Sequence, residues 1–330
     1  MKKALFWRTT ESGKIQCELC PHHCVIAEKK AGLCGVRRVD DGGLAAAGYG
    51  LISSRHNDPI EKKPLFHFHP GSTIFSIGGW GCNFACRFCQ NWQISQTVTD
   101  QSPSLQPDEV VQAARDQHSP GIAYTYNEPL INYEFVQDCA RSARAAGLFN
   151  VLVTNGFIEE KPAAELLPLI DALNIDIKSM DEFFYKQQCR GALAPVLRFA
   201  RQAVTAGRHV EITNLLIPGL NDNEEQVGRV SAWVAENLGR ETPLHLSAYH
   251  PDYKMDVPST PPAVLERAFA RCKRDLAYVY MGNVLSNEGQ NTLCPKCGQE
   301  LIVRQGYAVR VVGIINGACR RCGRPADVVM

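Results

Sequence analysis

The stretch Thr73-Ile-Phe-Ser-Ile-Gly-Gly-Trp-Gly-Cys82-Asn-Phe-Ala-Cys86-Arg-Phe-Cys89 joins a short apolar run to three closely spaced cysteines. The residues from Thr73 to Gly78 are rich in Ile and Phe, which predicts a buried strand. Three thiolates on the loop that follows can bind three irons of a cubane cluster and leave the fourth iron open. The sequence therefore predicts a cluster site with one free position at the end of this strand.

A zinc site with three cysteines and one histidine is the alternative for this run. The next histidine along the chain is His118, which lies beyond a predicted helix, so the spacing disfavours that site. Aromatic residues also flank the cysteines, and burial is one determinant of a cluster's reduction potential. These residues are Trp80, Phe84, Phe88 and Trp92.

The same order of strand and helix recurs along the middle of the chain. Further strands are predicted at Ile122–Tyr126, Asn150–Thr154, Leu173–Ile177, His209–Leu216 and Leu244–Ala248. Amphipathic helices are predicted at Pro107–His118, Ile131–Ala146, Ala163–Ile170, Pro195–Ala206, Asn223–Asn237 and Pro262–Leu276. Six such units predict a parallel sheet, which a seventh apolar run at Ala277–Met281 could close or extend.

Polar residues follow successive predicted strands and so converge on one end of the sheet. A doubly wound open sheet would gather them at one crevice, whereas their spread over many strands favours a barrel. We therefore predict an α/β fold, a partial (β/α)6 TIM-like barrel at residues 72–285. A Cys-rich N-terminal flank at 1–71 and a zinc-ribbon-like tail at 286–330 are expected to need a metal, because neither can bury much apolar surface.

Composition narrows the class of protein. The 330 residues include 35 Lys+Arg and 34 Asp+Glu, a net charge of +1, which gives no broad field for a nucleic acid or an anionic membrane. No apolar run approaches the ~20 residues needed to cross a bilayer, and the N-terminal apolar stretch is too short for a signal peptide. We expect a cytoplasmic protein.

Fourteen cysteines in a reducing compartment indicate metal sites rather than disulfides. Eleven fall in three groups, at 17–34, 82–89 and 294–322. The other three, Cys139, Cys189 and Cys272, are expected to stand alone as small buried apolar residues.

The C-terminal group consists of two Cys-x2-Cys-Gly knuckles, Cys294/Cys297 and Cys319/Cys322. Paired knuckles are typical of zinc ribbons, and a rubredoxin-like iron is chemically possible with the same ligands. An excess of Lys and Arg around them could contact a nucleic acid or an acidic protein, but a solvated surface around a structural site is favoured.

The N-terminal group, Cys17, Cys20, Cys24 and Cys34, offers four ligands with His22 and His23 nearby. Four ligands close a site, so a structural zinc and an auxiliary iron–sulfur cluster both fit. The spacing matches neither the bacterial ferredoxin run nor a paired knuckle, and both alternatives remain open.

The cysteine triplet, with an aromatic residue before its last cysteine, resembles the signature of the radical S-adenosylmethionine (SAM) superfamily. The wider chain is similar to the branch that includes pyruvate formate-lyase activating enzyme, and within it to the radical SAM member of the AmmeMemoRadiSam system. The segments that carry the likeness are Cys17–Cys24, Tyr126–Pro129, Asn174–Lys178, Leu216–Asp222 and Tyr278–Asn283.

The resemblance implies a role for each matching residue. Cys82, Cys86 and Cys89 would bind a [4Fe–4S] cluster whose fourth iron is chelated by the amino and carboxylate groups of SAM. Phe88 would lie near the adenine by its backbone, and Ile217 would pack on it. Other implied SAM contacts are Asn127, Glu128, Asn155, Asp176, Lys178 and His250, with His245 as a competing candidate. Many relatives carry Gly-Gly-Glu where this chain has Asn127-Glu128-Pro129, so only the Glu matches.

These residue types suit SAM, because a Glu can accept from its amino group, a Lys can bind its carboxylate and Asn or Asp can accept from hydroxyls. Structural alternatives exist for three of them. Asp176 and Lys178 could form a plain buried ion pair, Asn155-Gly156 could be a turn, and Glu128 could cap a helix.

Three functions remain open. The first is a radical SAM enzyme, an oxidoreductase that forms a 5′-deoxyadenosyl radical and abstracts hydrogen from a protein substrate. It would need an electron donor such as flavodoxin or ferredoxin. The second is a radical SAM catalyst for a small molecule, working with Memo-like and AMME-region companion proteins. The third is a non-enzymatic adaptor whose three cysteine groups all bind zinc.

Overall fold

A computed structural model of the protein describes residues 1–99, 101–284, 286 and 288–330. Residue 285, the last of the predicted core, lies outside these ranges, as do residues 100 and 287.

The centre of the molecule is one eight-stranded sheet in which seven consecutive strands run parallel. The strands are β1 Ser54–Pro59, β2 Thr73–Gly78, β3 Gly121–Tyr124, β4 Phe149–Thr154, β5 Ala172–Asp176, β6 His209–Leu216, β7 Leu244–Ala248 and β8 Val279–Gly282. They lie side by side in chain order, so the sheet has no point at which the order reverses. A doubly wound sheet requires such a reversal, and this topology excludes it.

Two strands extend the sheet beyond the six predicted. The run predicted at Ala277–Met281 forms β8 and adds a seventh parallel strand. At the other edge β1 pairs antiparallel with β2, although residues 1–71 were predicted to be a separate flank. The sequence of β1 is Ser-Arg-His-Asn-Asp-Pro, which has little β-propensity, so its pairing with β2 determines its conformation.

Helices connect the parallel strands, and the first helix contacts the second, the third the fourth, and the fifth the sixth. They are α1 Pro107–Asp116, α2 Tyr133–Ala145, α3 Glu160–Leu166, α4 Leu193–Thr205, α5 Glu224–Asn237 and α6 Pro262–Cys272. Short helical turns occur at Ile60–Lys62, Trp92–Ser95, Pro129–Asn132, Leu167–Leu169, Glu182–Phe184 and Tyr185–Cys189. The helices in the described ranges include none with the length and apolar character to cross a bilayer.

The two faces of the sheet carry different cores because side chains alternate along each strand. One face packs against the helices in a large apolar cluster that includes Phe75, Leu152 and Leu173. The opposite face forms a smaller cluster near the strand beginnings, from residues such as Ile74 and Val151, together with Leu65 and Phe68 from the β1–β2 connection. The strand ends on that second face are left to form a polar pocket.

Small antiparallel sheets make up the flank and the tail. In the flank, one sheet consists of Trp7–Thr9, Ile15–Cys17 and Val25–Ile26, and another of Lys2–Lys3, Arg37–Asp40 and Gly43–Ala46. In the tail, Thr292–Leu293, Glu300–Gln305 and Ala308–Val311 form one sheet, and Ile314–Ile315 pairs with Ala318–Cys319. The tail contacts the core through Arg304, which donates to the carbonyl of Phe66 at 2.7 Å.

A buried polar network, here called the lower network, lies near the amino-terminal ends of the parallel strands. Glu211 on β6 is fully buried and accepts from the backbone amides of Phe66 (3.0 Å) and His67 (2.7 Å). The ring of His67 lies between the hydroxyl of Tyr280 (2.6 Å) and the carbonyl of Asp327 (2.6 Å). His67 therefore links the core to the tail.

Acid is expected to weaken this link. Burial lowers the pKa of His67 to about 4, so the unfolded chain binds the proton more tightly than the folded one. The contribution of His67 to the free energy of unfolding is then constant above pH ~6.5. It falls as the pH drops toward 4, by about 2 kcal/mol at pH 5. Urea unfolding at pH 7.5 and pH 5 measures the loss, and a His67→Gln variant should show a smaller one. An equal loss in both proteins would contradict this role of His67.

Candidate active site

A pocket of about 540 Å³ lies at the carboxyl ends of the parallel strands. Its lining includes the three cysteines 82, 86 and 89 and side chains from the ends of β4, β5, β6 and β7, among them Val153, Asp176, Leu215 and Ser247. A more open cleft of about 800 Å³ lies between the core and the tail and contains none of the three. The predicted convergence of polar residues on one mouth is thus seen in the structure.

The cysteine loop is held by the backbone of the Tyr185–Cys189 turn. The amides of Ala85 and Arg87 donate to the carbonyls of Cys189 (2.8 Å) and Gln188 (2.9 Å). Within the loop, the amide of Phe84 donates to Cys82 Sγ at 3.3 Å. These contacts fix the direction in which the three thiols project into the pocket.

The three thiols differ in their surroundings. Burial raises the pKa of Cys82 well above its usual value, and the Glu128 carboxylate adds to the rise. Burial likewise raises the pKa of Cys89, although the hydroxyl of Ser95, 3.2 Å away, opposes it. The adjacent Cys189 thiol lowers the pKa of Cys86 and outweighs burial, with Lys178 contributing in the same direction. Cys189, predicted as a small buried apolar residue, is fully buried in the large apolar cluster, and its thiol also interacts with that of Cys86.

Two asparagines hold the cysteine loop against neighbouring strand ends. Asn155 is buried and its Nδ2 donates to Asn83 Oδ1 at 2.9 Å, with Cys82 Sγ at 3.7 Å. Asn127 accepts from the amide of Gly79 at 3.0 Å and donates to the carbonyl of Gly81 at 2.8 Å. Both residues line the pocket, but their amide groups are engaged with the loop.

Glu128 lies at the pocket wall and is 1% exposed. Its carboxylate accepts from the amide of Leu130 (2.9 Å), the hydroxyl of Thr154 (2.7 Å) and the amide of Asn155 (2.8 Å). Burial raises the pKa of Glu128 to about 7 although these hydrogen bonds oppose the rise. Glu128 thus caps the Pro129–Asn132 turn and also faces the pocket, which combines the two alternatives considered from sequence.

Asp176 and Lys178 line the pocket and form an ion pair, with Nζ to Oδ2 at 3.1 Å. Burial disfavours the charged form of Lys178, but the negative charges of Asp176 and the Cys86 and Cys189 thiols outweigh it and raise its pKa well above the usual value. Asp176 keeps a side-chain exposure of 34%, so the pair remains open to a ligand on one side.

Phe88 lines the pocket, whereas three other predicted residues lie away from it. Ile217 is fully buried in the large apolar cluster. His250 is exposed. The preceding residue, Tyr249, is buried, and its amide donates to the Thr260 hydroxyl at 2.9 Å. His245 lies in the lower network, where it contacts Glu211 at 2.6 Å.

A charged group on the pocket wall could not be predicted from the sequence. Lys63 is buried, lines the pocket and donates to Asp58 Oδ2 at 2.6 Å, and its ammonium lies 4.4 Å from the ring centre of Tyr126. Asp58 also accepts from the Tyr126 hydroxyl. Asp58 and Lys63 come from β1 and the turn after it, which the sequence assigned to the flank. A lysine pair before a proline at 62–64 was the only available signal.

The pocket fits an iron–sulfur cluster bound by three thiolates. Amide and hydroxyl donors approach Cys82 and Cys89, as expected where sulfur carries negative charge. Gln90 Nε2 also lies buried at this pocket, and within the described ranges it has no hydrogen-bond partner. His118, the alternative zinc ligand, is exposed at the end of α1 and does not line the pocket.

The tail cysteines form a compact set of ligand atoms. The sulfurs of Cys294, Cys297, Cys319 and Cys322 all lie within 4.8 Å of one another, with Cys294–Cys322 at 3.6 Å and Cys297–Cys319 at 3.7 Å. A tetrahedral ion with Zn–S near 2.3 Å separates its sulfurs by about 3.8 Å. The tail can therefore hold one metal ion.

Comparison with known proteins agrees with this site. A family model described as the radical SAM superfamily matches residues 77–229. Over its whole length the chain is 45% identical to an uncharacterized protein of Methanocaldococcus jannaschii, itself covered completely. It is 24% identical to pyruvate formate-lyase 1-activating enzyme of Escherichia coli K12 over 176 residues, which are 52% of this chain and 71% of that enzyme.

A solved structure shows a similar fold. A radical SAM methyltransferase from Sphaerobacter thermophilus is 17% identical, with a TM-score of 0.52 over 71% of each chain. At that identity the likeness concerns the fold alone. It confirms that this chain has the α/β fold found in radical SAM proteins.

Proposed function

We infer the function from the chain's membership of the radical SAM superfamily, related to the pyruvate formate-lyase activating enzymes. We propose that it reductively cleaves SAM and abstracts a hydrogen atom from a protein substrate. The observation that carries the proposal is the pocket in which three loop cysteines meet the polar ends of successive strands. The sequential strand order supports the partial (β/α)6 barrel that goes with it.

Cys82, Cys86 and Cys89 would hold a [4Fe–4S] cluster. Bound there, the cluster would supply one electron for the cleavage of SAM to methionine and a 5′-deoxyadenosyl radical. That radical would take a hydrogen atom from the substrate. Phe84 and Phe88, both buried beside the cysteines, would exclude water from this chemistry. Asn127 would position the loop through its bond to the Gly81 carbonyl, and Asn155 would tune the Cys82 sulfur through its side-chain amide.

The remaining polar groups would orient SAM. Lys178 would bind the carboxylate of the methionyl moiety, and Asp176 would accept from a hydroxyl of the ribose. Glu128 would accept from the amino group while it keeps Asn155 in place through the backbone bond of 2.8 Å. Ile217 and His250 have no part in the proposal, because neither lines the pocket.

The finer assignments belong to the same proposal. Membership of the AmmeMemoRadiSam system, with Memo-like and AMME-region companions, rests on the sequence segments quoted above. A cytoplasmic location and a flavodoxin or ferredoxin donor follow from the reducing chemistry that the cluster requires. Zinc in the tail is supported by the sulfur distances, and metal analysis would distinguish it from a rubredoxin-like iron.

One assay tests the function. Anaerobically reconstituted protein with reductant and SAM should form 5′-deoxyadenosine, and a protein substrate should stimulate its formation. An extract of the organism that carries the gene can be divided by ultrafiltration for this purpose. Stimulation by the retained macromolecules supports a protein substrate, whereas stimulation by the filtrate alone would favour a small molecule. Absence of 5′-deoxyadenosine from cluster-loaded protein would contradict the proposed function.

A further inference from the structure

The four N-terminal cysteines line a second cavity. The strand Ile15–Cys17 positions Cys17 and pairs with the strand that follows Cys24, so that the Cys17 amide donates to the Cys24 carbonyl at 3.0 Å. Cys20 and Cys34 complete the lining from adjacent loops. All four thiols are free. The local fold therefore brings together four ligands that are spread over 18 positions of sequence.

The spacing of these thiols differs from that of the tail. Among the described residues, the tail group alone brings three or more candidate ligand atoms within 4.8 Å of one another. The N-terminal cavity also has room for a sphere the size of a water molecule, whose centre can occupy about 10 Å³. A zinc ion bound by four thiolates leaves no such space, because each sulfur lies only about 2.3 Å from the metal. The wider arrangement suits a cubane, in which irons and sulfides separate the thiolates.

A buried cation also faces the cavity. Arg37 is 2% exposed, and its Nη1 donates to both oxygens of Glu134 at 3.0 Å. Its Nε is buried and, within the described ranges, has no hydrogen-bond partner, although Arg37 lines the cavity with the cysteines. A thiolate or sulfide would supply the missing acceptor.

Very little protein separates this cavity from the first cysteine site. The carbonyl oxygen of Cys34 packs against Gly81, where an added Cβ would lie 2.2 Å from that oxygen. Asn83 borders the N-terminal cavity, while its Oδ1 lies 3.9 Å from Cys82 Sγ. His22 lines the cavity as well and contacts the Asn83 carbonyl at 2.7 Å.

The opposite side of the cavity reaches the surface. Leu33 lines it and is 72% exposed, and Val25 nearby in sequence is 54% exposed. Leu33 is thus the exposed one among the apolar side chains that line the cavity. The site has an outer approach for a donor protein and an inner contact with the residues around Cys82.

We propose that Cys17, Cys20, Cys24 and Cys34 bind a second [4Fe–4S] cluster, which passes electrons from a donor protein at Leu33 to the cluster site at Cys82, Cys86 and Cys89. A reduced flavodoxin- or ferredoxin-type donor loses one electron, the second cluster gains and then releases it, and no bond or proton is transferred there. The relay rests on the proposed function, whereas the presence of the second cluster does not.

The first test removes the other cluster site. A Cys82→Ala/Cys86→Ala/Cys89→Ala variant, reconstituted anaerobically, should retain about four iron and four sulfide per chain, against about eight of each in the wild type. Cys20→Ser/Cys24→Ser should retain about four as well, and the buried Cys272→Ser should match the wild type. A triple variant that binds an additional zinc and no iron would overturn the proposal. If the wild type fails to cleave SAM while the triple variant keeps its cluster, only the proposed function and its relay fail.

The second test concerns the relay. Cys20→Ser/Cys24→Ser should lower the rate of 5′-deoxyadenosine formation by about tenfold or more with reduced flavodoxin, and by less than about twofold with dithionite. Electron paramagnetic resonance of the remaining cluster and circular dichroism show whether the variant is folded and loaded. Equal losses with the two reductants in folded, loaded protein would overturn the relay.

Discussion

Replacing Cys86 by alanine is expected to abolish formation of 5′-deoxyadenosine, by more than about a thousandfold, because the cluster supplies the chemistry and the chain only holds it. Cys82→Ala and Cys89→Ala should have the same effect. All three thiols line the pocket, and each substitution removes one of the three thiolates that would bind the cluster. The measurement is 5′-deoxyadenosine per chain under dithionite, with iron content determined on the same sample.

Cys139→Ala is the matched control for this series. Cys139 is a fully buried thiol on α2, outside the three cysteine groups, so its removal tests the loss of a thiol as such. Near wild-type cleavage is expected from this control. Undiminished cleavage in Cys86→Ala would contradict the assignment of the cluster site.

Glu128→Gln is expected to lower kcat/KM for SAM cleavage by about 10–100-fold, the usual range for residues that orient a metal site. The carboxylate accepts three hydrogen bonds, from Leu130, Thr154 and Asn155. An amide in its place turns one acceptor into a donor that faces another donor, and so displaces the Asn155 segment beside Cys82. The SAM-binding contact of Glu128 would be weakened in the same variant.

The control for Glu128→Gln is Glu165→Gln, which makes the same change on the exposed surface of α3. Kinetics with SAM and thermal unfolding are compared for the two variants and the wild type. A Glu128→Gln protein with unchanged kcat and KM would show that this residue only caps the turn at Pro129–Asn132. An increase in KM in a folded, cluster-loaded protein supports the contact with SAM.

The strand from Thr73 to Gly78 and the strands at 209–216 and 244–248 could be predicted to the residue, because each is a mostly buried run with clear turn signals on both sides. The edge strand β1 could not be predicted. Its polar sequence has no strand pattern of its own, and its conformation depends on pairing with β2. Asp58 and Lys63 could not be placed at the pocket for the same reason.

The candidate site shows a similar division. The cysteine triplet and the polar strand ends were visible, because parallel strands place their carboxyl ends at one mouth. The partners of Asn127 and Asn155 could not be seen, since their amides contact backbone and sulfur across the fold. Cys189 looked isolated in sequence, yet its turn folds back onto the cysteine loop. His250 matched a family position but faces solvent.

For the proposed cleavage, the fourth iron of the cluster held by Cys82, Cys86 and Cys89 must remain available to SAM. Electron–nuclear double resonance measures directly whether SAM binds this iron. The sample is the Cys20→Ser/Cys24→Ser variant with its remaining cluster reduced, and the SAM is labelled in its methionyl amino and carboxylate groups. We predict hyperfine coupling from both labels. Absence of coupling, with the fourth iron bound instead by a protein group such as the Cys189 thiol, would contradict the account.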